Sequence, residues 1–486
     1  MKAFYLKHPK LVTVIICALV SMLVVLTACS LASFLYPNIA MQPYYNDPAT
    51  FVIMGKSMAM GKIPYVEIFD HKGLYIFYIT FLYAYLGKFW IFLFMSLCMT
   101  VSLVFFVFAL RELELNNRTI LVGLMFFMGL YIFFAQFPGD ADLIVMVGML
   151  MLYFYIKGYK RNNDTYHLIA CILAGVSAGI AMNIRPSDAM LGFAFMAFYL
   201  VKRIIEKKIG IMFRDAALCL VALAITALPA YIHAYSGHFL NEMVDAVFLS
   251  NFKYLGSASD KSVLLVWMSR AIVVGIFGGL ILLWFFKRKE CKLEETMFIL
   301  IISGILLVIQ FAIALFAHYL ISVSGFIALA LVLTISKYHL LDEDKKSAKP
   351  ITYAMLGVYC VSLIFNPALY LSHVSRDQAD IAYIKQTISE EDRKEHTFLF
   401  SVYPGLYLNT GIDIIYPDFN AQLYHMKLSE EFSQAKLSEF VQSNQVKYFV
   451  TRKELKDDAK ELFGSANYVE VPTELKTVIV IYQHVL

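Results

Sequence analysis

Long apolar runs separated by short polar segments recur along most of the chain. About eleven of these runs are long enough, together with their polar flanks, to form membrane-spanning helices. They cover residues 11–35, 89–110, 119–136, 143–156, 167–184, 189–201, 216–235, 263–286, 297–317, 320–336 and 351–371. The pattern predicts a polytopic α-helical membrane protein. Its first run is longer than the core of a signal peptide and is predicted to be an uncleaved first span.

A shorter aromatic run at residues 74–87 is either a twelfth span or a helix in the outer interface. The distribution of basic residues decides between these alternatives. With eleven spans and a cytoplasmic N-terminus, 21 Lys and Arg residues fall in cytoplasmic segments and 7 in short external ones, as the positive-inside rule requires. A twelfth span would invert everything after Lys88. Residues 74–87 are therefore predicted to lie in the interface, and the C-terminal region outside the cytoplasm.

Two regions do not follow the pattern of spans. Residues 36–88 form a long first external loop, and loops of about fifty residues are commonly functional. Residues 372–486 alternate between helical and strand periodicities. The helical patterns cover residues 379–388 and 429–442, and the strand patterns cover residues 397–402, 446–451 and 477–482. The sequence thus predicts a transmembrane domain at residues 1–371 and a small extracytoplasmic α/β domain at residues 372–486.

The composition indicates which kind of molecule the chain acts on. Of the 486 residues, 60% are hydrophobic and only 16% are charged, which leaves too little polar surface for a water-soluble protein of this size. The net charge of +4 is small and its basic residues cluster between apolar runs, so they determine topology and do not indicate nucleic acid. No nucleotide-binding loop, zinc-spaced Cys/His set or nucleophile elbow is present. A lipid-borne substrate fits this chain better.

The first loop carries the richest set of candidate residues. Asp47 follows the first span closely enough to act at the membrane surface, where a general base would serve an alcohol acceptor. Equally, Asp47 could cap a helix that starts at Pro48. Further along, Asp70, His71 and Lys72 offer an acid, a titratable ring and a cation that suits a phosphate group. The alternative for Lys72 is ordinary snorkelling, with Asp70 as its partner or as a cap.

Other candidates lie in the predicted external turns. Asp140 and Asp142 could bind a divalent cation or polarise a sugar hydroxyl, or they could cap the helix that follows them. Arg185 and Arg270 are cations near the outer interface, and an arginine fork suits a phosphate diester. Arg185 could instead merely anchor a helix end. His318 and Tyr319 mark a later external turn, where they could contact substrate, although a lone histidine there is more often a hydrogen-bonded interface residue.

These residues stand in a recognisable pattern. The first loop contains Gly61-x-x-Pro64-Tyr65 and then Phe69-Asp70-His71-Lys72-Gly73, followed by an aromatic amphipathic helix. Later segments read Asn183-Ile184-Arg185-Pro186, Ala317-His318-Tyr319 and Tyr403-Pro404-Gly405-Leu406-Tyr407-Leu408. The chain resembles the bacterial membrane glycosyltransferases of the GT-C fold, especially relatives of the protein O-mannosyltransferases and the lipid A aminoarabinose transferases.

The resemblance implies a hexosyl- or pentosyltransferase in a bacterial plasma membrane. Such an enzyme moves a sugar, with inversion, from a polyprenyl-phosphate carrier to an envelope polysaccharide, glycolipid or protein. It also implies that Asp47 is the catalytic aspartate and that Lys72 and Arg185 hold the carrier phosphate. Asp47-Pro48 replaces the two adjacent acids of many relatives, and Leu74 replaces a frequent proline. The first departure weakens a metal-dependent mechanism, so no cofactor is certain and a divalent cation stays an open option.

Two other functions are compatible with the pattern of residues. A transporter or flippase of a lipid-linked saccharide would be expected to show an internal repeat and paired broken helices, and neither is evident in the sequence. A non-catalytic assembly protein would leave the carboxylates and cations without a common cleft. The glycosyltransferase is the leading hypothesis.

Overall fold

The computed structural model of the chain describes most of its residues. They are residues 8–27, 35, 46–134, 141–250, 321–342, 345–371, 374–419, 433–443 and 445–485. The chain divides into two compact units. The helical unit comprises Met1–Cys29, Phe92–Tyr231 and Ala258–Asn366, and the mixed unit comprises Ser30–Ile91, Ile232–Ser257 and Pro367–Leu486. The predicted division of the chain at residue 371 stays a prediction.

Most of the predicted spans correspond to apolar helices. The helices that match them are Pro9–Val25, Lys88–Glu112, Asn117–Phe134, Asp142–Arg161, Asp164–Met182, Ala189–Ile205, Ile209–Ser236, Ser324–Lys337 and Ala348–Leu371. Among the described residues, four of these are long and apolar enough to cross a membrane. They are Lys88–Glu112, Asp142–Arg161, Asp164–Met182 and Ile209–Ser236. The predicted spans at residues 263–286 and 297–317 lie outside the described residues, so the count of about eleven stays a prediction.

The outer surface of the helix Ile209–Ser236 shows which solvent surrounds it. Its side chains Phe213, Leu220, Ile225 and Ile232 are all more than 60% exposed. Large apolar side chains exposed along most of a helix would be a liability in water, whereas lipid tails cover them at little cost. The chain is a membrane protein.

Two glycines let neighbouring helices approach closely within the helical unit. Gly175 and Gly179 are four residues apart on Asp164–Met182, so they lie on one face of the helix. A Cβ added at Gly175 would overlap the carbonyl oxygen of Cys219, and one at Gly179 would overlap the hydroxyl of Thr226. Small residues at this spacing bring backbones together in membranes, where packing must supply the association energy that water does not.

The described part of the first loop, residues 46–88, is largely helical. It contains the helices Asn46–Ala59, Leu74–Phe81 and Tyr83–Leu86. Leu74 and Phe77 of the second of these helices are buried, whereas Tyr85 and Leu86 near the end of residues 74–87 are exposed, so the segment is packed at its start and open at its end. The helical path is interrupted at Leu82, and its position at the membrane interface stays a prediction. Shorter helical segments elsewhere are Pro186–Asp188, Leu240–Val244 and Asp245–Leu249.

The C-terminal residues form a small mixed sheet with helices. The strands are β1 (Thr397–Phe400), β2 (Tyr448–Arg452), β3 (Tyr468–Glu470) and β4 (Ile479–His484), in the order β1-β2-β4-β3. β1 and β2 are parallel, with Phe398 opposite Phe449, and the other two pairs are antiparallel. The helices are Val374–Thr387, Glu390–Glu395, Gly405–Thr410, Gln434–Gln442 and Lys456–Phe463, with a 3₁₀ turn at Lys453–Leu455.

Aromatic side chains form the core beneath this sheet. Phe398, Phe449 and Phe463 are buried, with ring centroids 5.7 Å apart for Phe398 and Phe449 and 5.0 Å apart for Phe449 and Phe463. Leu437 and Val441 of the helix Gln434–Gln442 complete the same cluster. Such rings bury large apolar areas, which lets a short sheet form a core.

The close approach of the helices at Gly175 leads to a prediction about stability. Gly175→Ala should lower the melting temperature in detergent, because the added methyl group meets a backbone carbonyl that cannot rotate away. Gly129→Ala is the matched control, since no described atom lies within 4 Å of its added Cβ and alanine is the better helix former by about 1 kcal/mol. Equal melting temperatures for the two variants would contradict the close approach of the helices.

A buried carboxylate on the helix Val374–Thr387 leads to a prediction about how stability depends on pH. Asp377 is 2% exposed, and burial, helped by the Asp380 carboxylate and opposed by Arg376, raises its pKa to about 7. The unfolded value is about 3.9, so the folded state binds more protons between these pH values. The contribution of Asp377 to the free energy of unfolding is therefore highest when its carboxyl group is protonated in both states, and it falls as pH rises from about 4 to 7.

Asp377→Asn should remove that dependence, because the amide stays neutral throughout. We expect the melting temperature of the variant to exceed that of the wild type at pH 8, with the advantage shrinking as pH falls to 4. A difference between the two proteins that is constant over this range would refute a titrating Asp377.

Candidate functional site

A tight turn joins the first-loop helices. The backbone of Tyr65 is left-handed, with φ of +67°, and its amide donates to the carbonyl of Ile68 at 2.6 Å. A non-glycine residue adopts this conformation only when its surroundings compensate for the strain. Tyr65 is 5% exposed, and its ring packs against those of Phe77 and Phe239 with centroids 5.9 and 6.3 Å away. Burial of the ring offsets the cost of the turn.

The turn ends in the sequence Asp70-His71-Lys72, and all three side chains are buried. The Lys72 amide donates to Asp70 Oδ1 at 2.8 Å, which is the geometry of an Asx turn. The Tyr65 hydroxyl donates to the Lys72 carbonyl at 2.7 Å. Asp70 therefore closes the turn, and the backbone of Lys72 is held from two sides.

The ammonium group of Lys72 has a defined environment. Its Nζ lies 2.7 Å from His71 Nε2 and 5.9 Å from the centroid of the Phe51 ring. The two groups are within hydrogen-bond distance, so the His71 ring holds the end of the Lys72 side chain in place. At 7% exposure, Lys72 is a fixed and largely desolvated cation, and its attraction for an anion is stronger than it would be in water.

Asp47 lies in the first turn of the helix Asn46–Ala59, which begins before Pro48 rather than at it. Its side chain is outside the described part of the structure. In the backbone, Asp47 is one helical turn before Phe51, whose ring lies under the Lys72 ammonium. This helix is fixed against the next one by the Thr80 hydroxyl, which donates to the Phe51 carbonyl at 2.6 Å. Asp47 thus lies on a helix that packs against the helix following the Lys72 turn.

Asp142 is in the helical unit and is 3% exposed. It is the first residue of its helix, whose N-cap is Ala141, with no side-chain cap. Asp142 Oδ1 accepts a hydrogen bond from the Tyr131 hydroxyl at 2.5 Å. A carboxylate in the first turn also interacts favourably with the helix dipole. The predicted companion Asp140 lies outside the described residues.

Arg185 is also in the helical unit, where the structure adds a partner that the sequence interpretation overlooked. Its Nε donates to Asp188 Oδ2 at 2.8 Å and its Nη2 lies 2.6 Å from the same oxygen as an ion pair, while Ser322 donates to Asp188 Oδ1 at 3.2 Å. All three residues are at most 3% exposed. The signal was available in the Arg-Pro-Ser-Asp spacing, because a 3₁₀ turn brings residues i and i+3 together.

The described residues therefore group the candidates into two sets. Asp47, Asp70, His71 and Lys72 belong to the mixed unit, and Asp142 and Arg185 belong to the helical unit. Arg270, His318 and Tyr319 lie outside the described residues, as Asp140 does. Within the described part of the chain, no group of three or more His, Cys, Asp or Glu side chains could hold a metal ion.

Comparisons with solved structures establish the architecture. ArnT from Cupriavidus metallidurans, bound to undecaprenyl phosphate, aligns with a TM-score of 0.64 at 13% identity, over 98% of this chain and 98% of that one. Its apo structure aligns with a TM-score of 0.58 at 13% identity, over 90% of this chain and 92% of that one. The chain has the GT-C fold. The resemblance inferred from the sequence is confirmed at the level of the fold.

A third comparison and the sequence comparisons add little to this result. The Archaeoglobus fulgidus oligosaccharyltransferase aligns with a TM-score of only 0.42 at 14% identity, over 97% of this chain and 72% of that one. No protein-family model matches the sequence, and no curated protein matches it significantly. The GT-C fold is thus shared at a sequence identity too low for residue roles to be transferred directly.

The buried pair of Arg185 and Asp188 generates a stability prediction. Asp188→Asn leaves the arginine charge buried without its counter-ion, which typically costs about 3–5 kcal/mol. Glu114→Gln is the control, because its partner Lys160 is 3.9 Å away and its side chain is 82% exposed, and such pairs contribute at most about 1 kcal/mol. The measurement is unfolding in detergent by chemical denaturant. Equal losses in the two variants would show that the buried pair contributes no more than a surface contact.

Proposed function

We propose that this protein is an inverting glycosyltransferase. It transfers a sugar from a polyprenyl-phosphate carrier to an envelope polysaccharide, glycolipid or protein acceptor on the outer face of a bacterial plasma membrane. The observation that carries the proposal is the agreement in fold, over 98% of both chains, with a protein that binds undecaprenyl phosphate. Because one fold can host several functions, the proposal also needs a site with suitable chemistry.

Lys72 supplies the first part of that chemistry. A carrier phosphate is an anion at the membrane surface, and a desolvated ammonium that is already oriented can bind it with little reorganisation. The contacts of Lys72 with His71 and Phe51 provide that orientation. Arg185 is the second candidate for contact with the phosphate, and its described partner is Asp188. Arg270 is the third candidate for contact with the phosphate.

Asp47 would act as the general base. In the proposed step, the acceptor hydroxyl oxygen forms a bond to the anomeric carbon from the side opposite the carrier, which inverts the configuration. The bond between that carbon and the phosphate oxygen breaks, its electron pair leaves with the polyprenyl phosphate, and Asp47 takes the hydroxyl proton. A positioned base contributes about 100-fold to 10,000-fold in rate.

The remaining candidates have supporting roles in the proposal. Asp140 and Asp142 are the alternative carboxylates for catalysis, or for a divalent cation if one takes part. Asp70, His71, His318 and Tyr319 are proposed to contact the sugar or its phosphate. For Asp70 and His71 the described contacts with Lys72 favour an action through that lysine. The outer location rests on the positive-inside distribution of basic residues, which also puts the C-terminal region outside.

The proposal predicts the behaviour of an Asp47→Asn variant. Asparagine keeps the size and much of the helix-starting preference of aspartate but cannot accept the proton. The variant should bind undecaprenyl phosphate as the wild type does and lose transfer activity by about 100-fold or more. Binding is measured as a thermal shift in detergent. Transfer is measured as release of undecaprenyl phosphate from a panel of its sugar adducts.

Asp457→Asn is the control, because its side chain is 99% exposed and has no proposed role. Near-normal transfer by Asp47→Asn would assign the base to Asp140 or Asp142. A wild-type protein that neither binds undecaprenyl phosphate nor releases it from any adduct would refute the proposed function itself.

A further inference from the structure

The C-terminal part of the chain contacts the first loop at the turn that carries Lys72. We propose that residues 405–419 are a positioning element for this turn, and that Lys62 is the side chain through which the element acts. The inference deepens the proposed function and rests on it, since it assigns the element to the binding of the carrier phosphate. It gives the C-terminal region a role in the reaction.

Two hydrogen bonds attach the element to the turn. Lys62 Nζ donates to the carbonyl of Ile414 at 2.8 Å, across 352 positions of sequence. The Phe69 amide donates to the carbonyl of Pro417 at 2.9 Å. One bond lies before the left-handed Tyr65 and the other after it, three residues before Lys72. The two bonds therefore fix both ends of the turn to one short segment.

The element is itself rigid. The Tyr407 hydroxyl donates to the carbonyl of Phe419 at 2.8 Å, and the two rings pack with centroids 5.6 Å apart. Tyr407 is 5% exposed and Phe419 is 1% exposed. This bond closes residues 407–419 into a loop, which holds the carbonyls of Ile414 and Pro417 in one short segment.

The same element touches the helix that carries Asp47. Its helical part, Gly405–Thr410, packs against Asn46–Ala59. One segment therefore contacts both of the elements that the proposed reaction uses, namely the helix of the base and the turn of the cation. A change in the position of this segment would therefore shift both the helix that carries Asp47 and the turn that carries Lys72.

The element is also tied to the sheet. Tyr403, just before it, donates to Asp380 Oδ2, and Asp380 Oδ1 accepts a hydrogen bond from the Val478 amide at 3.0 Å. Asp380 is 0% exposed, so both bonds form away from water, where they are strongest. A continuous set of contacts thus runs from Val478, the residue before β4, through Asp380 and Tyr403 to the Lys72 turn.

Lys62 is the part of this arrangement that a substitution can test most cleanly. Its bond is charge-assisted, which makes it stronger than a neutral hydrogen bond, and its side chain is only half-buried, so removing the charge does not leave a cavity. Lys56 is the matched control. It is also a half-buried lysine of the first loop, and its ammonium makes no hydrogen bond or ion pair with the described residues.

The experiment measures binding of undecaprenyl phosphate and hydrogen exchange in the wild type and in variants. Lys62→Met should weaken binding by about 10-fold, the effect of losing roughly 1.4 kcal/mol of orientation. It should also speed amide exchange in the peptide that covers residues 62–72. Lys62→Arg, which keeps a donor, should retain most of the affinity, and Lys56→Met should change neither quantity.

A double-variant cycle separates positioning from a merely structural role. If Lys62 acts through Lys72, the effects of substituting the two residues should not be additive. Lys62→Met in a Lys72→Met background should then weaken binding by less than 2-fold. A full 10-fold loss in that background would overturn the inference. So would unchanged exchange of residues 62–72 in Lys62→Met, whatever the ligand result. Failure of the wild type to bind undecaprenyl phosphate would instead overturn the proposed function, while the exchange result would still decide whether Lys62 holds the turn.

Discussion

Charged side chains that lie away from water persist only when partners accompany them, and this constraint organises the helical unit. Arg203 is 1% exposed and donates to Tyr199 at 2.6 Å, to Glu206 at 2.7 Å and to Asp164 at 2.8 Å. Asp215, fully buried, accepts from the Tyr199 hydroxyl at 2.5 Å. Asp164, Arg203 and Asp215 come from three successive helices, so a single polar network fixes their ends relative to one another.

Charged side chains are also paired at other helix ends, whereas close packing of backbones is the constraint in the middle of the helices. Asp188 holds Arg185 where one helix ends and the next begins, and Asp142 is held by Tyr131 at the start of its helix. Midway along Asp164–Met182, by contrast, Gly175 lets a neighbouring backbone approach closely. Lipid supplies no hydrophobic force between helices, so close packing in the middle and paired charges at the ends must together select one arrangement.

The sequence was sufficient to predict those features that a local pattern of residues or a balance of charges determines. The apolar runs located most helices to within a few residues, and strand periodicity located β1, β2 and β4, because burial imposes a period on each element. It did not predict the partner of Arg185, although Asp188 is only three residues away, because the charge was assigned to a ligand. The bond from Lys62 to Ile414 could not have been predicted, since its partner is a backbone carbonyl 352 positions away and no side chain marks it.

Lys72 shows how the two kinds of information combine into a site. Local sequence makes the Asx turn at Asp70, but only tertiary packing buries the ammonium beside His71 and Phe51. A lysine held in this way has already lost much of its rotamer freedom, a loss that can reach about 2 kcal/mol for a free side chain. It has also given up part of its hydration, so a phosphate bound as proposed would displace less water. Folding thus bears the cost of orienting and desolvating the cation, and under the proposed function binding of the carrier would in turn stabilise the turn.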